Sequence, residues 1–258
     1  MEWYDRVYFG TWRLEEHFEE LSREEIKSLL NFALQSGIFR FHTAAAYGEG
    51  RIEEILGNYL PKEAIIVTKI PTIHQIFPSK NPSIQYFYTP ELIRKRTENS
   101  LKRLKRDYIY AILLHGWRPY WSAKNSIVVL EALNELREKG LAVKVGVSLP
   151  NDFNELIDDE TLQYFDIIEA PLNRYQGWIL KQLPDLLFFQ KEVLLRNLFC
   201  QENLLIKYRE IPQQVLKEVF SLDTSIVLEI ITKQQIIENI NYLTKKEDER
   251  TWLEKLYS

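Results

Sequence analysis

Cysteine is nearly absent: Cys200 stands alone among 258 residues. No intrachain disulfide can form, and a cysteine-rich zinc site is excluded. Histidine is scarce too. His17, His42, His74 and His115 never fall at the H-x-x-x-H spacing of a helical ligand pair, so no metal is expected. Nor is there an excess of basic charge. The 33 Lys and Arg against 37 Asp and Glu leave a net charge of −4, which argues against a nucleic-acid partner held mainly by phosphate contacts. Long apolar runs are missing as well. None approaches the ~20 residues that span a bilayer, and even DLLFFQKEVLL is soon broken by charge. The opening MEWYDRVYF lacks a basic stretch followed by an apolar one. No secretory leader is expected, and the expected setting is the cytoplasm.

What is present is the composition of a folded protein, 45% hydrophobic and 27% charged. The length suits one large domain, since α/β barrels run to about 250 residues as a unit. Eight short apolar runs recur: RVYFGTW (6–12), FRFHT (39–43), AIIVTKI (64–70), YIYAILLH (108–115), AVKVGVS (142–148), FDIIEAP (165–171), VLLRNLF (193–199) and SIVLEII (225–231). Several are apolar at nearly every position, as strands buried on both faces are. Amphipathic segments with readable ends lie between them. Ser22 and Glu25 form a capping box, Thr89-Pro90-Glu91 opens a helix to about Leu104, and Gly140 ends another. Thr244 and Glu247 suggest a further box ahead of a last helix. Eight strand-like runs give about 32 residues per unit, the size of one βα repeat. The expected fold is a single (β/α)8 TIM barrel over 1–258. An open doubly wound sheet is the alternative, weakened because no G-x-G-x-x-G follows the first strand.

Barrels of this kind carry function where strands end. The polar residues at those ends are His42 and Tyr47, Lys69, His115, Ser148, Glu169 and Asn173, and Arg196. Taken singly, each has an ordinary explanation as a packed turn aromatic or a solvated rim residue. Their convergence on one rim makes them candidates.

In order and spacing these residues resemble the aldo-keto reductase family. The resemblance rests on GTWRL (10–14), F-x-F-H-T-A-x-x-YGEG-x-x-E-x-x-LG (39–57), VTK (67–69), SLKRLKRDYIYAILLH (100–115), LREKGLAVKVGVS (136–148) and the Asn173 region. Weaker pieces follow at 196–205 and 234–240. The resemblance implies an oxidoreductase that reduces a small carbonyl compound with hydride from NADPH or NADH. In that pattern Tyr47 is the proton donor, Lys69 makes the phenol more acidic, and His115 orients the carbonyl oxygen. The same pattern assigns cofactor contacts to Ser148, Glu169, Arg196 and Asn239, and substrate-pocket aromatics to Trp12 and Trp117. For Arg196, pairing with Glu169 is an equal alternative; for both tryptophans, core packing is.

Several positions depart from the family. His42 stands where it has an Asp holding the catalytic Lys, Leu149 where it has an Asn, and Glu169 where it has a Gln. Glu229 and Ile231 replace a glycine and a basic residue that serve the adenosine phosphate, and Glu229 would repel a 2′-phosphate. Glu202 replaces another glycine. These departures keep a second reading open: a degenerate member of the fold without redox turnover, acting as a binding or regulatory subunit or running altered chemistry. Three features remain outside the site. The insert 71–88 is either a lid or rim packing, the basic run 94–106 reads as a solvated helix face, and Cys200 reads as an inert buried thiol.

Overall fold

Each of the eight apolar runs becomes a strand: β1 (Val7–Gly10), β2 (Arg40–His42), β3 (Ile65–Ile70), β4 (Ile109–His115), β5 (Ala142–Ser148), β6 (Ile167–Pro171), β7 (Glu192–Arg196) and β8 (Ser225–Glu229). The computed structural model describes residues 2–15, 21–74, 81–199 and 212–244. Every strand pairs in parallel with the next, and β8 returns to β1 from Val7↔Ile226 to Gly10↔Glu229. The result is a closed (β/α)8 barrel.

The pleat explains why these runs are apolar throughout. Alternate side chains point into the barrel and out toward the helices. Tyr8, Val67, Leu113, Ile167, Leu194 and Val227 pack together inside, while Phe9, Ile66, Ile112, Ile168 and Leu195 join the outer core beneath the helices. One more step of the same period carries Gly10, Lys69, His115, Glu169, Arg196 and Glu229 to the C-terminal end of the interior. Register adds His42, opposite Gly10, and Ser148, opposite His115. Each strand thus supplies one residue to a single upper layer.

The opposite end is sealed by charge. Glu192 accepts from Tyr8 Oη at 3.0 Å, Tyr110 Oη at 2.8 Å and Lys144 Nζ at 2.7 Å, while Arg40 donates to Tyr8 Oη at 3.1 Å. This end is plugged by its own side chains, so access to the interior layer is from the strand C-termini.

Helix ends follow the expected chemistry. Ser22 and Glu25 cap Arg23–Gln35 reciprocally, and Thr89 Oγ1 accepts from the Leu92 amide at the start of Pro90–Leu104. Gly140, at φ +69°, lets the chain leave Ala123–Glu138 through the left-handed region. Thr244 is placed only in part. It ends the helix Lys233–Thr244, its hydroxyl donating to the Ile240 carbonyl, and its expected partner Glu247 lies outside the described residues. The remainder of the expected last helix lies outside the described residues, as do Cys200, Glu202 and His17.

One surface reading is revised, and in another one of two alternatives is met. The basic run is not simply solvated: Arg103 pairs with the buried Glu53 at 2.6 Å, Arg106 donates to the Pro61 carbonyl, and Arg96 donates to the Pro71 carbonyl. In the insert, Ile84, Phe87 and Tyr88 are buried, Trp121 Nε1 donates to the Pro82 carbonyl at 2.8 Å, and His74 stacks on Tyr86 at 4.3 Å. The described part of the insert packs on the rim.

Candidate active site

The upper layer opens into a cavity of about 880 Å³ whose inner wall contains His42, Tyr47, Lys69, His115, Glu169 and Glu229. Tyr47 enters from the one-turn helix Tyr47–Gly50 after β2, where Gly48, Glu49 and Gly50 all have positive φ. That tight left-handed turn swings the phenol back over the barrel mouth. Lys69 Nζ lies 5.1 Å from the Tyr47 ring centroid, and the Tyr47 and His115 rings meet edge-on at 6.5 Å. Three segments therefore deliver a phenol, an amine and an imidazole to one place.

Beneath them lies a hydrogen-bonded charge network. Lys69 is 1% exposed and Glu169 fully buried. Lys69 Nζ lies 2.7 Å from His42 Nε2, donates to the Thr43 carbonyl at 3.1 Å, and is 3.7 Å from Glu169 Oε2. The same His42 Nε2 is 2.7 Å from Glu169 Oε2. The other carboxylate oxygen accepts from Ser148 Oγ at 2.8 Å and pairs with Arg196 Nε at 3.0 Å. Arg196 is held further by the Leu149 carbonyl and Asn151 Oδ1, both at 2.6 Å.

Ionisation follows from this crowding. Burial lowers the Lys69 ammonium to about 8, opposed by Glu169 and Glu229. Burial, then Lys69 and Arg196, take His115 down to about 3, so its imidazole is neutral. Burial and Lys69 also lower His42, against the pull of Glu169. Burial alone would raise Glu169, yet Lys69, His42 and Arg196 together hold it well below the ordinary carboxylate range. The phenol of Tyr47 goes the other way from the sequence expectation. Burial, then Glu229 and Glu169, push it well above 10. Without a ligand the phenol is firmly protonated.

Glu229 was legible only as a departure from a family glycine. Its carboxylate faces the cavity over Gly10, accepting from the Trp12 amide at 3.1 Å. A Cβ at residue 10 would lie 2.6 Å from Glu229 Oε1, so glycine makes room for it. Burial raises this carboxyl to about 7, with Lys69 opposing.

The remaining expected residues divide. Trp12 and Asn239 line the cavity, with Asn239 far along it on the helix Lys233–Thr244. Ser148 is buried and spends its hydroxyl on Glu169. Trp117 is a correction: it packs edge-on against Trp121 and Phe165 at 5.7 and 5.3 Å and does not line the cavity, because its side chain fills the core. Asn151, Asp152 and Gln235 do line it and had no sequence signal beyond their polarity. The pairing of His42 with Glu169 across the barrel was missed as well. The period-two parity of β2 and β6 turns both residues inward but does not say that they meet.

Barrel enzymes carry their active sites at the strand C-termini, where this polar cluster lies. The Aldo/keto reductase family profile matches residues 6–158. The chain belongs to that family. It is 31% identical to aldo-keto reductase YhdN of Bacillus subtilis over 153 residues, 55% of this chain and 43% of that protein. The chain spans about half the length, or less, of several curated relatives it matches, 44% of one and 50% of another. In fold it matches aldo-keto reductase AKR11C1 of Bacillus halodurans in its holo form, with TM-score 0.72, 18% identity, and coverage of 98% of this chain and 90% of that one. An aldo/keto reductase from Klebsiella pneumoniae, solved in complex with NADP and acetate, matches with TM-score 0.68 at 18% identity over 94% and 87% of the two chains.

Proposed function

We propose that this protein is an oxidoreductase that reduces a carbonyl of a small molecule with a nicotinamide cofactor. The observation that carries this reading is the meeting of Tyr47, Lys69 and His115 at the inner end of one cavity. Family membership and the NADP-complexed structural neighbour support it.

The donor set suits such a cofactor. The cavity runs from Lys69 outward to Asn239 and Tyr242, with Arg13, Arg196 and Asn197 along its wall. These offer guanidinium and amide donors of the kind that hold phosphates and amides. In this reading Arg196, Asn197 and Asn239 hold the cofactor, while Ser148 and Glu169 act indirectly by fixing Arg196. Glu229 corrects the sequence reading: it lies at the inner end of the cavity beside Lys69 and Tyr47, so it does not face the 2′-phosphate of a nucleotide that runs outward to Asn239. When bound, the cofactor supplies hydride to the carbonyl carbon.

The chain's own groups then handle the oxygen. Tyr47, protonated at neutral pH, donates its proton to the carbonyl oxygen as negative charge grows there. The neutral His115 imidazole donates an N–H to the same oxygen and orients it. The Lys69 ammonium stabilises the phenolate left on Tyr47. The product is the alcohol, with hydride on carbon and the phenol proton on oxygen.

The sequence-level readings complete the proposal. The chain works as one barrel domain over 1–258, in the cytoplasm, on a small carbonyl compound, without nucleic acid or membrane. Net charge and the single cysteine support this, and among the described residues no helix is long and apolar enough to cross a membrane.

Titrating NADPH and NADH into the protein tests the reading. Trp12 lies in the cavity wall, so binding should quench tryptophan emission saturably, and small aldehydes should then oxidise the bound nucleotide. No saturable quench up to millimolar nucleotide would favour the non-redox reading instead.

A further inference from the structure

A buried ammonium needs a nearby negative charge, and His42 cannot supply one. Lys69 nevertheless has a carboxylate within 4 Å: Glu169, from the far side of the barrel. Glu169 is itself arranged as an anion. Its two oxygens receive Ser148 Oγ, Arg196 Nε and His42 Nε2, with Lys69 at 3.7 Å. A neutral amide at this position could not accept from that many donors at once. Relative to the family pattern, the two departures are complementary. Position 42 loses a negative charge and position 169 gains one.

We propose that Glu169, acting through His42, is the positioning residue that keeps Lys69 charged and directed at Tyr47, in place of a carboxylate at residue 42. His42 Nε2 has one in-plane position and lies 2.7 Å from both partners. Bare, it accepts from the Lys69 ammonium; protonated, it donates to Glu169. The imidazole is a relay between the two charges, and Glu169 is withdrawn from direct contact with a cofactor. The position of Lys69 is fixed by His42 and the Thr43 carbonyl, and its charge by Glu169.

The groups that face Lys69 are His42 on β2, Tyr47 after it, His115 on β4, Glu169 on β6, Arg196 on β7 and Glu229 on β8. Any titration of Lys69 reads all six, so the test isolates one by substitution. The ammonium midpoint of Lys69 is followed by NMR of ¹³Cε-labelled lysine, with Lys69→Arg assigning the resonance. In Glu169→Gln the midpoint should fall by at least about one pH unit, since an opposite charge at this range favours the charged form by roughly 1–3 units. In the double variant His42→Asp/Glu169→Gln, which returns the negative charge to residue 42, it should recover toward the wild-type value. An unchanged midpoint in Glu169→Gln overturns the proposal. So does a fall that His42→Asp fails to rescue. If Glu169→Gln does not fold, Glu169→Asp decides, because it keeps the charge but draws it back from Lys69 by one methylene: a lowered Lys69 midpoint supports the proposal, and an unchanged one overturns it.

The inference rests on the reductase reading only for its kinetic consequence, a matching shift in the alkaline limb of carbonyl reduction. The NMR midpoint needs no turnover. A shifted midpoint without reduction would sink the reductase reading alone, and reduction with an unshifted midpoint would sink this one.

Discussion

Replacing Glu229 by glutamine should stabilise the protein at alkaline pH and leave it little changed in acid. Glu229 is raised from 4.5 to about 7, by burial first and Glu169 in addition, against the pull of Lys69 and the Arg13 and Trp12 amides. A carboxyl raised on folding is protonated in both states below pH 4.5, where it costs nothing. Between 4.5 and about 7 the unfolded chain releases its proton while the folded one keeps it, so stability falls as pH rises through that window. At 1.36 kcal/mol per pH unit the full loss has an upper limit of about 3 kcal/mol. The side chain opens onto a cavity and is partly screened, which brings the expected loss to about 1–2 kcal/mol. The glutamine side chain would keep an acceptor for the Trp12 amide and have nothing to ionise. Urea unfolding of both proteins at about pH 4.5, 6 and 8 should therefore show a stability difference that grows with pH in favour of Glu229→Gln. With m-values near 2 kcal/mol/M, the midpoints should separate by about 0.5–1 M at pH 8. A difference that is flat with pH, or that shrinks, would refute the reasoning.

Three further outcomes are expected. Tyr47→Phe should lower carbonyl reduction by roughly 10²–10⁴-fold, the range for loss of a positioned proton donor, while nucleotide quenching persists; equal loss of both would show that the phenol only shapes the cavity. Carbonyl reduction should fall as pH rises through about 8, where Lys69 loses its proton, and a profile flat to about pH 10 would contradict that assignment. Trp117→Ala should cost about 3–5 kcal/mol by emptying the Trp121–Phe165 contact. At temperatures where it stays folded its KM should match the wild type, which a substrate-contacting tryptophan would not allow.

The charge inventory of the cavity is what distinguishes this chain. The buried Glu169 and the half-buried Glu229 face Lys69 and Arg196 across the barrel mouth. Glu169 is ionised by its donors, whereas Glu229 shares its proton with solvent near neutrality. Both raise the Tyr47 phenol, so the site as it stands favours the protonated donor that reduction requires and disfavours the phenolate that oxidation would start from.

The barrel was written in the sequence because it is set by local period. Eight doubly apolar runs, the Ser22–Glu25 box, Thr89-Pro90 and Gly140 each act over a few residues, and nothing downstream overrides them. The family motifs likewise lie in short contiguous stretches from Gly10 to Ser148, and they named Tyr47, Lys69 and His115 before any coordinate did. Pairings between distant residues were not legible. Nothing in the neighbourhood of His42 says that Glu169, 127 residues later, will lie 2.7 Å away. The same holds for Trp117, whose choice of core over cavity depends on where Trp121 and Phe165 arrive. Which residues point inward could be read from residue order, since parity along a strand is covalent geometry. Which inward charges meet was settled by barrel closure, because that depends on strand register and on how far each side chain reaches across the barrel.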